Sequence, residues 1–200
     1  MAFLFPLAMV AVLFICVAMT VGEGLWSNLL TWINVIVAGL LAMSLYETLA
    51  GKLYEMAPTF VYFWEFLSMW LVFIVSLIIF RVAMGFASRV RVRFLPPIEK
   101  AGSILFASLI GFTMMSFAMA SLHTAPLAQN FMWGGFKAGA GESNLGIGPD
   151  RMWVGFAGML SKGSLATSPP QPMPPADAYV GKNAAKRKQF EAEPGSRTAK

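Results

Sequence analysis

Cysteine and histidine each occur once, as Cys16 and His123, and only 12% of the 200 residues are charged. A lone cysteine excludes an intrachain disulfide framework and a multi-cysteine metal site. Cys16 lies in the apolar run Val10 to Val21, where it reads as a small packing or lipid-facing residue. The Ile15 before it is not the small residue that a lipoprotein attachment signal requires. A lone histidine cannot supply two imidazoles to a b-type haem or to a His-rich metal site, so no cofactor is expected. Catalytic signatures are missing as well, with no Gly-x-Ser-x-Gly and no His-Glu-x-x-His. Ser121, His123 and Thr124 are neighbours at the edge of an apolar run, and nothing in the sequence brings Asp150 to them. The expectation is a protein that is not an enzyme.

Charge is scarcest where a soluble protein would need it. Average globular chains carry about 25% charged residues. Of the 25 formal charges here, 14 lie from Lys137 onward, which leaves 11 for the first 136 residues. With 57% hydrophobic residues and a mean hydropathy of +0.64, such a chain cannot cover a water-facing surface. It reads as an integral membrane protein, all-α and polytopic, with a polar tail.

Crossing the bilayer core takes roughly 17 to 25 apolar residues in a helix. Four stretches qualify: Phe3 to Val21, Leu25 to Tyr46, Thr59 to Phe80 (interrupted only by Glu65) and Gly102 to Leu122. The first lacks a basic leading segment, and Ala18-Met19-Thr20 is a poor cleavage site, so it reads as a retained span rather than a signal peptide. Between the spans lie a tight turn, Gly22-Glu23-Gly24, an acidic loop from Glu47 to Pro58, and a basic loop from Arg81 to Lys100 in which Pro96-Pro97 precedes the fourth span. Residues 1–125 are thus expected to form a domain of four transmembrane helices.

Residues 126–164 read as a glycine-rich connector followed by an amphipathic helix. Asp150 would cap that helix, and Met152, Trp153, Phe156, Met159 and Leu160 recur on one face. Such a helix could lie in the membrane surface, dock a partner through Trp153 and Phe156, or cover the mouth of the bundle. Residues 165–200 open with a proline-rich run and turn polar, which predicts a disordered tail. Its cluster Lys182, Lys186, Arg187 and Lys188 adjoins Glu191 and Glu193. It reads as a solvated segment touching anionic lipid or cell wall, not as a nucleic-acid site.

Short loops respond to the positive-inside bias. Arg81, Arg89, Arg91, Arg93 and Lys100 face only Glu99 in the third loop, whereas Lys52 is set against Glu47 and Glu55 in the second. The basic loop is therefore expected in the cytoplasm and both termini outside.

Three groups of residues stand out within the spans. Glu65 is the ionisable residue inside a span and so a candidate ion site, although it lies near Pro58 and an interfacial or packing role suits it too. Ser27, Thr31, Asn34 and Ala38 form one small or polar stripe of the second span, and Ser103, Ala107 and Gly111 form a ridge on the fourth. Small residues at these spacings permit close helix packing and hydrogen bonding across the contact.

These features resemble the colicin V production protein family (CvpA), in the form it takes in planctomycete-like bacteria, over residues 3–125. The resemblance rests on the four-span layout, on the turn Gly22-Glu23-Gly24-Leu25-Trp26, and on the stretch from Glu99 to Gly111. There the family commonly reads Asp-Arg, small residues with Phe-Gly, then Arg-Gly. This chain has Glu99-Lys100, Ser103, Phe106-Ala107 and Ile110-Gly111, so it departs at the acid, the base, two glycines and an arginine. The resemblance implies a bacterial inner-membrane protein linked to toxin production or export and to envelope homeostasis. Its partners would be the lipid bilayer, a membrane or envelope protein, and further copies of itself. Two other readings stay open: a small transporter or channel subunit with a path along Ser27, Thr31 and Asn34 and Glu65 at its mouth, and an anchor holding a partner through Met152 to Leu160.

Overall fold

In hydrocarbon a backbone must satisfy its own polar groups, and a helix does so within one segment. The computed structural model describes residues 3–56, 61–87, 95–127, 131–137, 142–162 and 173–192, and among these every regular element is helical. In chain order they are α1 (Leu4–Thr20), α2 (Leu25–Met56), α3 (Val61–Ala87), α4 (Pro96–Leu122), the single turn α5 (Phe131–Gly134), a 3₁₀ turn (Asn144–Gly146), α6 (Pro149–Lys162) and α7 (Ala176–Ala192). Among the described residues three segments are long and apolar enough, by length and composition, to cross a membrane: Leu25–Met56, Phe63–Phe86 and Pro96–Leu122. The fourth apolar helix, α1, has 17 residues. At about 1.5 Å per residue that is some 25 Å, and its length is at the lower end of the roughly 17 to 25 residues that a span takes.

One end of the bundle is tied by a single carboxylate. Gly24 has φ +91°, and a Cβ there would sit 2.6 Å from Glu99 Oε1, so both its conformation and its surroundings call for glycine. The same oxygen accepts the Leu25 amide at 3.0 Å. Glu99, in the first turn of α4, thereby also caps the exposed amides at the start of α2. Arg81 pairs with Glu23 at 3.3 Å beside it.

The helices follow the neighbour order α3, α2, α4, α1, with α6 lying on α4 and α7 on α6. Small residues of α2, namely Ala38, Gly39 and Ala42, are buried and make room for large rings. Phe73 and Phe117 stack at 4.4 Å, and Trp153 meets Phe117 edge-on at 5.9 Å. A second apolar cluster joins Phe5, Met115, Met119 and Phe136. Phe14, Ile15 and Met19 of α1 and Ile78, Ile79, Val82 and Phe86 of α3 are exposed, as a surface meeting lipid would be.

Three expectations need correction. The acidic stretch after Glu47 is not a loop, because α2 continues through Gly51 to Met56; no proline interrupts the stretch before Pro58. Likewise α3 runs past Phe80 and Arg81 to Ala87, while residues 88–94 of the basic loop lie outside the described residues. The expected disorder of residues 165–200 fails over 173–192, where the 17-residue α7 buries Tyr179, Val180, Asn183 and Arg187. Residues 163–172 and 193–200 lie outside the described residues.

Candidate functional site: a polar chamber at the end of α4

Helix α4 ends at Leu122, where the His123 and Ala125 amides already donate to the Ala120 and Leu122 carbonyls, and α7 adds side-chain donors to the same carbonyls from a distance. The Tyr179 hydroxyl donates to the Ala120 carbonyl at 3.2 Å, and Arg187 Nη2 donates to the Leu122 carbonyl at 2.7 Å. The guanidinium also sits 4.8 Å above the Phe136 ring. Burial pushes Arg187 down to about 10, which leaves it a cation at neutral pH. Tyr179 is raised by burial and by the Glu65 and Glu47 carboxylates.

Directly after the helix, His123 Nε2 lies 2.8 Å from Asp150 Oδ2. Asp150 belongs to the first turn of α6 and also accepts Asn144 Nδ2 at 3.3 Å. Asn144 in turn pairs with the backbone of Lys137, accepting its amide at 2.8 Å and donating to its carbonyl at 2.9 Å. The glycine-rich connector is thereby drawn to the histidine. Burial holds His123 below the usual imidazole value, reinforced by the Arg187 and Arg151 charges and opposed by Asp150. Burial would raise Asp150, but hydrogen bonds from His123 and Asn144 outweigh it and hold the carboxyl low. The pair is thus a neutral imidazole donating Nε2–H to an ionised carboxylate.

Above this pair is a cavity of about 220 Å³ whose lining includes Tyr54, Glu65, His123, Asn183, Lys186 and Arg187. Glu65, the candidate ion residue, is ion-paired with Lys186 of α7. Lys182 pairs with Glu47 at 2.8 Å one turn earlier. Two residues of the tail's basic cluster, Lys182 and Lys186, are therefore directed at the bundle's own acids. A dyad could activate a hydroxyl held beside it, but the local hydroxyls are engaged elsewhere: Ser121 Oγ accepts Trp70 Nε1 at 3.1 Å and donates to the Ala118 carbonyl, and Thr124 Oγ1 donates to the Ser121 carbonyl. Among the described residues no cluster of His, Cys, Asp and Glu is arranged to hold a metal ion.

The other singled-out residues take structural places. Ser103, Ala107 and Gly111 are buried, and they face α1: Ser103 Oγ donates to the Val21 carbonyl at 2.6 Å, and a Cβ on Gly111 would lie 2.8 Å from the Leu13 carbonyl oxygen. Ser27 donates to Glu23, Thr31 is half-buried and Asn34 is buried. Trp153 does not face outward as a docking residue would. It is 5% exposed, lies where a Cβ on Gly39 would be 2.5 Å from its ring, and donates Nε1–H to Met43 Sδ at 3.0 Å. Phe156, one turn on, is partly exposed. Sequence reasoning missed Asn28, whose amide spans to Ser103, and the His123–Asp150 pair. For the pair the available signal was one lone histidine followed by one acid at the start of an amphipathic helix. No protein-family model, curated protein or solved structure matches the chain.

Proposed function

We propose that the chain is a non-catalytic, multi-pass protein of the bacterial inner membrane, of the colicin V production type, that supports toxin production or export, or envelope homeostasis, by interaction. The observation that carries this reading is where the polar groups of the apolar helices are spent. Asn28 bonds Ser103, Trp32 bonds Thr113 at 3.1 Å and Trp70 bonds Ser121, all between helices of the same chain. Trp153 and Phe117 pack over Gly39 of α2. Solute passage needs polar groups free to replace hydration, and these helix–helix contacts engage several of them. The residues behind the family resemblance support it in kind: Glu99 binds the start of α2, and the Ser103 to Gly111 ridge seats α1. In this reading α1 and the three long helices all traverse the membrane, with the basic loop in the cytoplasm and the chamber outside.

The interaction face is then the outer side of α6, where Met152, Phe156 and Met159 are 53%, 39% and 73% exposed. A transport reading draws on the cavity beside Glu65. Complementation of a deletion strain under envelope stress, beside solute flux in liposomes, separates the two. Phe156→Ser with Met159→Ser should abolish complementation, while Glu65→Gln with Asn34→Ala should retain it. Selective flux lost on Glu65→Gln would overturn the interaction reading.

A further inference from the structure

The chamber under α7 holds more hydrogen-bonding capacity than the chain uses. Asn183 and Arg187, one turn apart on α7, both line the cavity, and their side chains are sealed from solvent. Yet Asn183 Nδ2 and Arg187 Nε, both N–H donors, are buried with no hydrogen-bond partner. Buried donors left unpaired are destabilising and uncommon in native proteins, so their concentration at one cavity calls for a ligand. The donors define its chemistry. Lys186 is already neutralised by Glu65 and Asp150 holds the Nε2–H of His123, whereas Arg187 meets a ring and a carbonyl through its guanidinium, feels Glu191 one turn on, and keeps its Nε–H unpaired. A cationic N–H beside an amide N–H is suited to an oxygen anion.

We propose that the chamber is a binding site for a phosphate-type oxyanion, held by Arg187 Nε and Asn183 Nδ2, with Tyr54, Pro126 and Phe190 closing around it. At this end of the long helices the same chemistry can come from free phosphate or from a lipid headgroup. The site is independent of whether the chain acts by interaction.

The test is titration of inorganic phosphate into the full-length protein in phosphatidylcholine nanodiscs, read by calorimetry and thermal unfolding, with chloride at equal ionic strength as control. Phosphate should bind saturably and raise the unfolding midpoint, and chloride should not. Arg187 also caps α4, so Asn183 carries the test: Asn183→Asp, of the same shape but anionic, should lower affinity at least about tenfold. Asn183→Ala, which removes the donor without adding charge, should weaken binding in the same direction. In discs containing phosphatidylglycerol, a matching loss of apparent phosphate affinity would identify the headgroup as the ligand, and an unchanged affinity would identify a soluble anion. No saturable phosphate effect in phosphatidylcholine discs, or equal affinity in the native protein and both variants, would overturn the proposal.

Discussion

His123 Nε2 and Asp150 Oδ2 lie 2.8 Å apart with both side chains 1% exposed, so the chain's single histidine anchors the segment that follows the apolar helices. Through Asp150 it holds the start of α6, and through Asn144 the connector before it. A hydrogen bond to a charged partner, once buried, is expensive to break on one side only. Asp150→Ala should therefore destabilise the protein by about 3 kcal/mol, measured by denaturant titration in mild detergent. A loss within the noise of a surface substitution would show that the pair does not hold α6.

The same pair sets a pH dependence whose sign follows from the direction of each shift. His123 is held below its ordinary value by burial, and that value is about 6.5. Above it the ring is neutral in both folded and unfolded chains, and its contribution is fully present. As pH falls below it, the unfolded chain takes up a proton that the folded chain refuses, and stability declines until the folded value is reached. Asp150, also held low, contributes above its unfolded value of about 3.9 and loses that contribution as pH falls further. The unfolding midpoint should thus drop between about pH 7 and pH 5, and His123→Gln should flatten that slope. Greater stability on acidification would contradict the neutral-imidazole assignment.

Gly111 of α4 has the Leu13 carbonyl oxygen 2.8 Å from where its Cβ would stand and the Val17 side chain at 3.1 Å. A backbone atom cannot swing aside as a side-chain end can. Gly111→Leu should force α1 away from α4 and cost roughly 3 kcal/mol or prevent accumulation. Met114→Leu, at a partly buried position with adaptable neighbours, should cost less than about 1.5 kcal/mol. Equal effects in a proteolysis assay of inserted protein would remove the ridge as a packing device.

The tail helix is latched by charge as well as by apolar burial. Lys186→Glu would set two carboxylates together where Glu65 and Lys186 now pair, and Glu65→Lys would set two ammonium groups together. Each single change should loosen α7 and raise its protease sensitivity. The double exchange should recover most of the loss, with a coupling of roughly 1–2 kcal/mol. A double variant as labile as the sum of the singles would show that the pair carries no stability.

The contrast between ridge and tail explains how much of this architecture could be read from residues alone. The apolar runs and the spacing of Ser103, Ala107 and Gly111 are local patterns, and all three residues do pack at a helix contact. Helix α7 is mostly polar, and its buried face is spread thinly over Tyr179, Val180, Asn183 and Arg187. Its side chains donate to the last carbonyls of α4 and pair with the acids of α2 and α3, 59 to 135 residues away, while its Asp177 pairs with Arg151 of α6. No local pattern announces them. The His123–Asp150 pair was hidden for the same reason, since it needs α6 to fold back on α4. Trp153 misled because an aromatic on an amphipathic helix looks alike whether its apolar face meets a partner, lipid or its own bundle.

That last ambiguity is resolved by Gly39. The Trp153 ring occupies the space a side chain at position 39 would need, its nearest atom 2.5 Å from the Cβ position, and it packs on Phe117 and Met43. Trp153→Ala should open a cavity in this buried site and cost about 3–5 kcal/mol. Gly39→Leu should collide with the indole and displace α6 by overpacking. Because both changes act on one volume, the double variant should refill part of the space left by the indole and be more stable than the sum of the two losses. Denaturant titration of the four proteins measures this directly. Strict additivity would mean that Trp153 and Gly39 do not share a site, and α6 would then have to be placed elsewhere than against the small-residue face of α2.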